Sequence, residues 1–345
     1  MNSVPAAVRA VVRHWGWNST SYQILNPGFS YWIDPQGDAV VGYVERHGVR
    51  VVGGAPVCDA ARFADVAEAF EQDAARKGCG VAYFAAEGRI ADLARTDAAR
   101  VTFPIGAQPV WSPGALVREF AAHASLRAQL SRARNKGVRV RHLATALPQM
   151  LEAMHECLED WVDRRALPPL HFLIETETLD DLTDRRVLVA ESGGEVVGFL
   201  IATPVPARNG WLVEQLVRCG GAPNGTAELL LHHAARMLDD EDAVMLTLGL
   251  APLARRGTPV IDRAPSWVAV LLARMRAHGR RFFNFEGLEQ FKAKFGGSTW
   301  EAVYLSIAPG TSVARTMLAV TTAFSGEPLV RFVPRTIGRS ILRRR

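Results

Sequence analysis

Residues 211–253 read WLVEQLVRCGGAPNGTAELLLHHAARMLDDEDAVMLTLGLAPL, and they predict a strand, a turn, a helix and a second strand. The apolar segment Trp211–Val217 is typical of a strand, and glycine, proline and asparagine interrupt the pattern at Cys219–Gly225. Apolar residues then recur at helical spacing over Thr226–Leu238, before a second apolar strand at Ala243–Leu248. This order of elements indicates an α/β fold.

We call Cys219–Gly225 the glycine loop. Three of its residues are glycines, so its backbone N–H groups can closely approach an anionic or carbonyl-bearing ligand. Glu214 and Arg218 lie four residues apart on the preceding strand, and they share a face if that strand is regular. The sequence therefore predicts a substrate site with an acid and a fixed cation beside it. An ordinary turn flanked by a surface acid and a surface arginine would show the same pattern.

Length and composition are those of a globular protein with two domains. The chain has 345 residues, of which 48% are hydrophobic and 22% charged, and this suits two domains of about 150 residues each. The formal net charge of +5 permits a polyanionic partner such as tRNA or an anionic membrane, although many enzymes are equally basic.

Cysteine usage and hydropathy predict a cytoplasmic protein. The four cysteines, Cys58, Cys79, Cys157 and Cys219, are scattered and share no metal-ligand spacing, so we predict reduced thiols and no metal. The N-terminus lacks the apolar core of a signal peptide. The longest apolar stretches also fall short of the roughly 20 residues that span a bilayer.

Each half of the chain alternates strands with helices. Residues 1–142 show short strands, a helix near 60–77, further strands, and a helical segment that ends in the basic run SLRAQLSRARNKGVRVRHL. Residues 143–309 show a helix, a hairpin, the glycine-loop unit, two helices and a closing strand. A basic tail, residues 310–345, follows. Two successive α/β or α+β modules are therefore predicted.

Four ordered runs resemble the catalytic domain of the bacterial aminoacyl-phosphatidylglycerol synthases, the multiple peptide resistance factor family, and especially its standalone soluble relatives. The runs are LVEQLVR (212–218), APNGTAELL (222–230), LGLAPL (248–253) and FFNFEGLEQFKAKFGGSTWEAVYL (282–305). The last run is also similar to the Phe-Lys-x-x-Phe-Gly-Gly segment of peptidoglycan-bridge aminoacyltransferases. The resemblance covers the second half of the chain.

The resemblance implies a fold and an activity. The expected fold is α/β (α+β), with two tandem acetyltransferase-like (GNAT) modules whose mixed sheets are flanked by helices. The expected activity is the transfer of an aminoacyl group from aminoacyl-tRNA to a hydroxyl or amine acceptor, a polar lipid such as phosphatidylglycerol. Because the ester of charged tRNA is already activated, no cofactor is expected.

The resemblance also implies roles for particular residues. Arg218 would be an electrostatic clamp and Glu214 the base, while Gln215 stands where relatives carry an acid. N–H groups around Asn224 to Thr226 would hold the oxyanion. The predicted substrate-binding residues are Asn224, Gly225, Thr226, Glu228, Pro252, Asn284, Lys292 and Lys294. The basic residues predicted to contact the tRNA backbone are Arg127, Arg132, Arg134 and Lys136. A solvated surface helix would equally explain that basic run.

Lys292 and Lys294 are two residues apart, so they face different sides of their helix. We expect one to reach the terminal phosphate of the tRNA while the other stays solvated. Two residues depart from the family pattern. Gln215 replaces the usual acidic residue, and Glu286 stands where a basic residue is common in relatives. For Gln215, either Glu214 serves instead, or a carboxylate is not needed, or activity is lost. Glu286 would weaken contact with RNA.

The tail, residues 310–345, has apolar clusters separated by arginines and ends in Arg343, Arg344 and Arg345. It is predicted either to lie on an anionic membrane surface, at the inner face of the cell membrane, or to be merely solvated.

Two other functions fit the pattern. An acyl-CoA-dependent N-acyltransferase would share the fold, but Pro223 lacks the N–H that a pyrophosphate-binding loop needs at that position. A non-catalytic RNA- or membrane-binding derivative of the fold is suggested by Gln215.

Overall fold

The structure, a computed structural model, describes residues 4–144, 148–164, 171–174, 178–278 and 284–326. The strands in these ranges are β1 (Ser30–Ile33), β2 (Val40–Arg46), β3 (Val49–Gly53), β4 (Gly80–Ala86), β5 (Val101–Trp111), β6 (Arg139–His142), β7 (Arg186–Ser192), β8 (Glu195–Val205), β9 (Gly210–Arg218), β10 (Met245–Thr247), β11 (Ala251–Pro252) and β12 (Thr299–Ile307). The α-helices are α1 (Ala6–Trp15), α2 (Phe63–Arg76), α3 (Gly88–Thr96), α4 (Pro113–Ala122), α5 (Ala124–Asn135), α6 (Pro148–Asp163), α7 (Thr226–Asp240), α8 (Ser266–His278), α9 (Phe285–Ala293) and α10 (Val313–Ser325).

All these strands belong to one mixed sheet, in the order β1-β2-β3-β4-β12-β5-β10-β9-β8-β7-β6, with β11 paired to β5. The pairs β3–β4 and β9–β10 are parallel, and the other pairs are antiparallel. Strand β12 comes from the second half of the chain but lies between β4 and β5 of the first half. The two predicted modules therefore share one sheet, and a domain boundary at residue 142 stays a prediction.

Helices cover both faces of the sheet, which confirms the predicted α/β class. In the second half, α4, α5 and α7 bury Leu116, Leu130 and Leu230 against β8 and β9. A separate core on β7, β8 and β9 contains Met154 and Leu158 from α6. The predicted order of strand, glycine loop, helix and strand is confirmed as β9, the loop, α7 and β10.

The first part of the predicted tail is a packed helix. Ala319, Val320 and Ala323 of α10 are buried in a core with residues of β2 and β3. The rest of the tail, from residue 327 onward, lies outside the described residues. Each helix in the described ranges is too short or too polar to cross a membrane.

The prediction of four reduced thiols is wrong for two of them. Cys157 of α6 and Cys219, the first residue after β9, form a disulfide with a Cα–Cα distance of 4.9 Å. They are 62 residues apart in sequence, so only the packing of α6 on β9 brings them together. Cys58 and Cys79 are free, and burial raises the pKa of Cys58 to about 11.

Candidate functional site at the glycine loop

The glycine loop joins β9 to α7 and turns sharply. Gly221 and Gly225 have φ values of 78° and 93°, a region that L-residues with side chains rarely adopt. The N–H of Cys219 donates to the Val197 carbonyl at 3.1 Å, and that of Ala222 donates to the Cys219 carbonyl at 3.2 Å. These bonds fix the loop without a ligand.

Side chains of α6 cover the first part of the loop. The Gly220 N–H donates to the Asp160 carboxylate, and Arg164 pairs with that carboxylate at 2.9 Å. A Cβ at Gly220 would lie 1.4 Å from the Arg164 guanidinium. The sequence predicted free backbone amides in this loop. At Gly220, however, the Asp160 carboxylate accepts the N–H and the Arg164 guanidinium covers the residue.

The second part of the loop is open at Asn224 only, since Gly225 is buried. Asn224 is exposed, and within the described part of the chain the N–H groups of Asn224 and Gly225 meet no acceptor. They lie at the N-terminal end of α7, where the helix dipole favours negative charge. Thr226 does not fit its prediction, because its N–H (3.2 Å) and its hydroxyl (2.7 Å) both donate to the Pro223 carbonyl. Pro223 accepts these bonds because its carbonyl points back into the first turn.

The basic helix α5 adjoins this open part. A Cβ at Gly225 would lie 2.0 Å from the backbone oxygen of Gln129, so the loop backbone packs directly on α5. The three basic residues beyond Gln129 are exposed: Arg132, Arg134 and Lys136. Arg127 differs, because its guanidinium donates to the carbonyls of Ala121 and Ala122 at 2.6 and 2.9 Å and caps α4. The predicted tRNA contact through Arg127 is therefore weakened, and the other three cations stay available.

Glu214 pairs with the buried Arg185, and the expectation that it shares a face with Arg218 assumed a regular strand. Its carboxylate is 3% exposed, lies 3.3 Å from Arg185 Nε and accepts a hydrogen bond of 2.9 Å from Asn26. Arg185 also donates to Asn26 at 2.8 Å, which closes a buried triad. Arg218 is exposed, about 13 Å further along the strand. A register shift opposite this part of β9, between Ile201 and Ala202 of β8, breaks the regular alternation.

Gln215 uses its side chain elsewhere, since its amide donates to the Thr178 hydroxyl at 2.8 Å. The sequence-predicted catalytic residues Glu214, Gln215 and Arg218 thus have separate environments. A catalytic role for them stays a prediction. Glu286, the second departure from the family pattern, lies in the first turn of α9, where the helix dipole stabilises an acid.

Neither lysine of α9 is solvated as expected. Lys292 is buried, and its Nζ donates to the carbonyls of Leu248, Gly249 and Leu250 at 2.7 to 2.8 Å. Burial lowers the pKa of Lys292 to about 7. An ammonium whose three N–H bonds all meet backbone carbonyls organises the segment after β10 and has none left for a phosphate.

Lys294, the residue that directly follows α9, contacts the start of α7 with its side chain. Its Nζ is 2.5 Å from the Glu228 carboxylate and 4.0 Å from the centre of the Phe291 ring. Glu228 is the acid of the first turn of α7. The Lys294 side chain is 32% exposed and that of Glu228 only 11%, so a substrate at the second part of the glycine loop could meet the pair through Lys294.

Two further residues that were predicted to bind substrate have structural contacts within the fold. Pro252 of β11 pairs with Gly106 of β5. Asn284 caps α9, because its side-chain oxygen accepts the Gly287 N–H at 3.0 Å. Sequence reasoning missed Asp160, Arg164 and Arg185, and no local motif marks them, because each meets its partner only through long-range packing.

Comparison with known proteins identifies relatives of this chain. The family described as "Phosphatidylglycerol lysyltransferase, C-terminal" matches residues 9–307. The phosphatidylglycerol lysyltransferase of Bacillus subtilis is 29% identical over 128 residues, which is 37% of this chain and 14% of that protein. The chain spans less than half the length of the curated relatives it matches.

Two solved structures share the fold. The C-terminal domain of a protein assigned as a lysylphosphatidylglycerol synthetase from Agrobacterium fabrum has a TM-score of 0.78 and 20% identity, over 93% of this chain and 96% of that chain. L-PGS from Bacillus licheniformis has a TM-score of 0.78 and 20% identity, over 94% and 98%. These likenesses bear out the predicted fold of mixed strands flanked by helices.

Proposed function

The chain belongs to the family of phosphatidylglycerol lysyltransferase C-terminal domains, and from this premise we propose that it moves an aminoacyl group from aminoacyl-tRNA to a polar lipid. The acceptor group is a hydroxyl or an amine, and phosphatidylglycerol is the first acceptor to test. The protein would act in the cytoplasm or peripherally on the inner face of the cell membrane.

One observation carries the tRNA part of the proposal: the cations of α5 adjoin the open part of the glycine loop. Gly225 packs on the backbone of Gln129, and Arg132, Arg134 and Lys136 are exposed in the turns that follow. Arg132 and Lys136 share one side of the helix and Arg134 lies on another side, and such cations neutralise phosphates without reading sequence. A tRNA acceptor arm held there would bring its charged 3′ end to the start of α7.

The start of α7 offers groups for ester transfer. The N–H groups of Asn224 and Gly225 would hold the developing oxyanion, assisted by the helix dipole. The acceptor oxygen forms a bond to the ester carbon, the bond to the ribose oxygen breaks, and the acceptor proton passes to that ribose oxygen. Glu228, the acid in the first turn of α7 that pairs with Lys294, would accept this proton from the acceptor and pass it to the ribose oxygen. Arg218 would clamp a phosphate.

The experiment is a transfer assay with tRNA labelled in its aminoacyl group and phosphatidylglycerol. We expect label in an RNase-resistant, solvent-extractable lipid. Arg218→Ala should lower the rate at least tenfold, since an exposed clamp acts only on substrate. Arg95→Ala is the matched control, because Arg95 is an exposed arginine outside the basic run and pairs with Asp92 at 3.6 Å. Label that stays RNase-sensitive in every fraction would refute the proposal.

The tail supplies a second contact in this proposal. Beyond α10, the sequence of residues 327–345 contains apolar residues and arginines that suit an anionic bilayer surface. Replacing Arg343, Arg344 and Arg345 by serine should weaken binding to anionic vesicles. Unchanged binding would show that these three arginines do not contact the membrane and that the tail is merely solvated.

A non-catalytic binding module is the second candidate. It is favoured by the Asp160 and Arg164 side chains over Gly220 and by the buried pairing of Glu214 with Arg185. In that case tRNA would bind with no transfer, and Arg218→Ala would leave binding intact.

Coenzyme A is a poor donor for this loop, because the Asp160 carboxylate occupies an amide that a pyrophosphate would need. Calorimetric titration with coenzyme A should therefore show no heat of binding.

A further inference from the structure

Helix α8 carries an apolar face that the rest of the described chain does not cover. The exposed fractions are 48% for Trp267, 53% for Val270, 38% for Leu271 and 43% for Met275. Their spacing of three, four and eight residues places them on one side of the helix. Val268 alone is fully buried in α8, in a core shared with α10. A contiguous exposed face of this kind marks an interaction surface.

The chain segment that carries this face has mostly positive charges. Residues 250–278 contain five arginines and one aspartate. Arg274 lies within the apolar stripe, and Arg255 precedes the helix; both are exposed and form no ion pair with another described residue. Apolar side chains among exposed arginines suit a surface of anionic headgroups over acyl chains. A soluble protein partner would have to supply both an apolar groove and an acidic rim.

Polar contacts connect α8 to the candidate site. Arg276 of α8 pairs with Glu289 of α9 at 3.0 Å and also donates to the Leu253 carbonyl. Helix α9 in turn carries Lys294, which pairs with Glu228 at the start of α7. These contacts fix the position of α8 relative to the glycine loop. A surface bound by α8 would therefore lie at a defined distance from that loop.

We propose that α8 is a membrane-docking helix that lies flat on an anionic phospholipid bilayer, with Trp267, Val270, Leu271 and Met275 inserted below the headgroups. Arg255 and Arg274 then meet lipid phosphates. Docking needs neither tRNA nor a transfer reaction, so the inference goes beyond the proposed function. If that function also holds, docking brings the lipid acceptor to the site.

The test measures cosedimentation of the full chain with vesicles of phosphatidylglycerol and phosphatidylcholine, and with phosphatidylcholine alone. Binding is expected only to the anionic vesicles and should weaken as salt rises. Val270→Ser combined with Leu271→Ser should reduce the binding constant at least tenfold. Val244→Ser is the matched control, because Val244 is 60% exposed and lies outside α8. Thermal unfolding of each variant checks that it is folded.

Three results would overturn the proposal. The first is equal binding by the double variant and the wild type. The second is loss of binding when residues 327–345 are removed while the α8 variant still binds, which would place docking in the tail. The third is a wild-type dimer in lipid-free sedimentation that the double variant converts to a monomer, which would make a second copy the occupant of this face.

A transfer assay with a short-chain, water-soluble phosphatidylglycerol separates this inference from the proposed function. The α8 double variant should retain transfer to that acceptor and lose transfer to vesicles. Vesicle binding without transfer to either acceptor would support docking and contradict the proposed function. Transfer to both acceptors by the double variant would contradict docking.

Discussion

Lys292 shows how burial gives a charged residue a structural role. Its ammonium meets the carbonyls of Leu248, Gly249 and Leu250, and within the described chain no carboxylate pairs with it. Desolvation lowers its pKa from 10.5 to about 7. The folded protein thus releases a proton in a pH range where the unfolded chain keeps it.

The free energy of unfolding should therefore rise with pH between about 7 and 10.5. The slope is on the order of 1.4 kcal/mol per pH unit at most. Denaturant titrations at several pH values should show this rise in the wild type and not in Lys292→Met. The same slope in both proteins would contradict the lowered pKa.

The buried triad of Asn26, Arg185 and Glu214 is expected to stabilise the fold. Glu214→Ala leaves the Arg185 guanidinium buried without its acid, which should cost about 3–5 kcal/mol of unfolding free energy. Arg186→Ala is the control, because its pair with Glu241 is about one-third exposed and should contribute less than about 1 kcal/mol. If Glu214→Gln is as stable as the wild type but abolishes transfer, Glu214 is the base after all.

At the scale of elements, the disulfide ties α6 to the end of β9. It closes a loop with a sequence separation of 62 residues, for which chain entropy predicts about 4 kcal/mol, and measured values are often nearer 2. The same helix places Asp160 and Arg164 over Gly220, so the disulfide also holds the cover of the glycine loop in place.

Reduction by a dithiol should lower the unfolding free energy by about 2–4 kcal/mol. The paired substitution of Cys157 and Cys219 by serine should lower it equally and remove the effect of reductant. Cys79→Ser is the control, because Cys79 is a free thiol. A wild type that is insensitive to reductant would mean that the disulfide does not stabilise the fold.

At the scale of the whole molecule, the position of β12 makes the two halves interdependent. β12 forms antiparallel pairs with both β4 and β5, so a chain without it exposes two unpaired strand edges. Strand β10 also pairs with β5, which links the halves a second time.

We therefore expect the full chain to unfold in one transition when circular dichroism and tryptophan fluorescence are compared. A chain of residues 1–142 alone should show no cooperative unfolding. Cooperative unfolding of that fragment would instead show that residue 142 is a true domain boundary.

The amino-acid sequence by itself determined the local structure: the strand, glycine loop and helix around α7, the basic helix α5, and the α/β class. Each follows from side-chain periodicity, glycine conformation and helix endings, which depend on neighbours a few residues away. The resemblance to the family also rests on such contiguous runs.

Only the tertiary structure decided which side chains meet. It inserted β12 between β4 and β5, joined Cys157 to Cys219, buried Glu214 against Arg185, and placed Arg164 over Gly220. These contacts join residues far apart in the chain, and the free energy of burying or pairing them depends on the whole packed sheet. Spacing along the sequence carries no record of that packing.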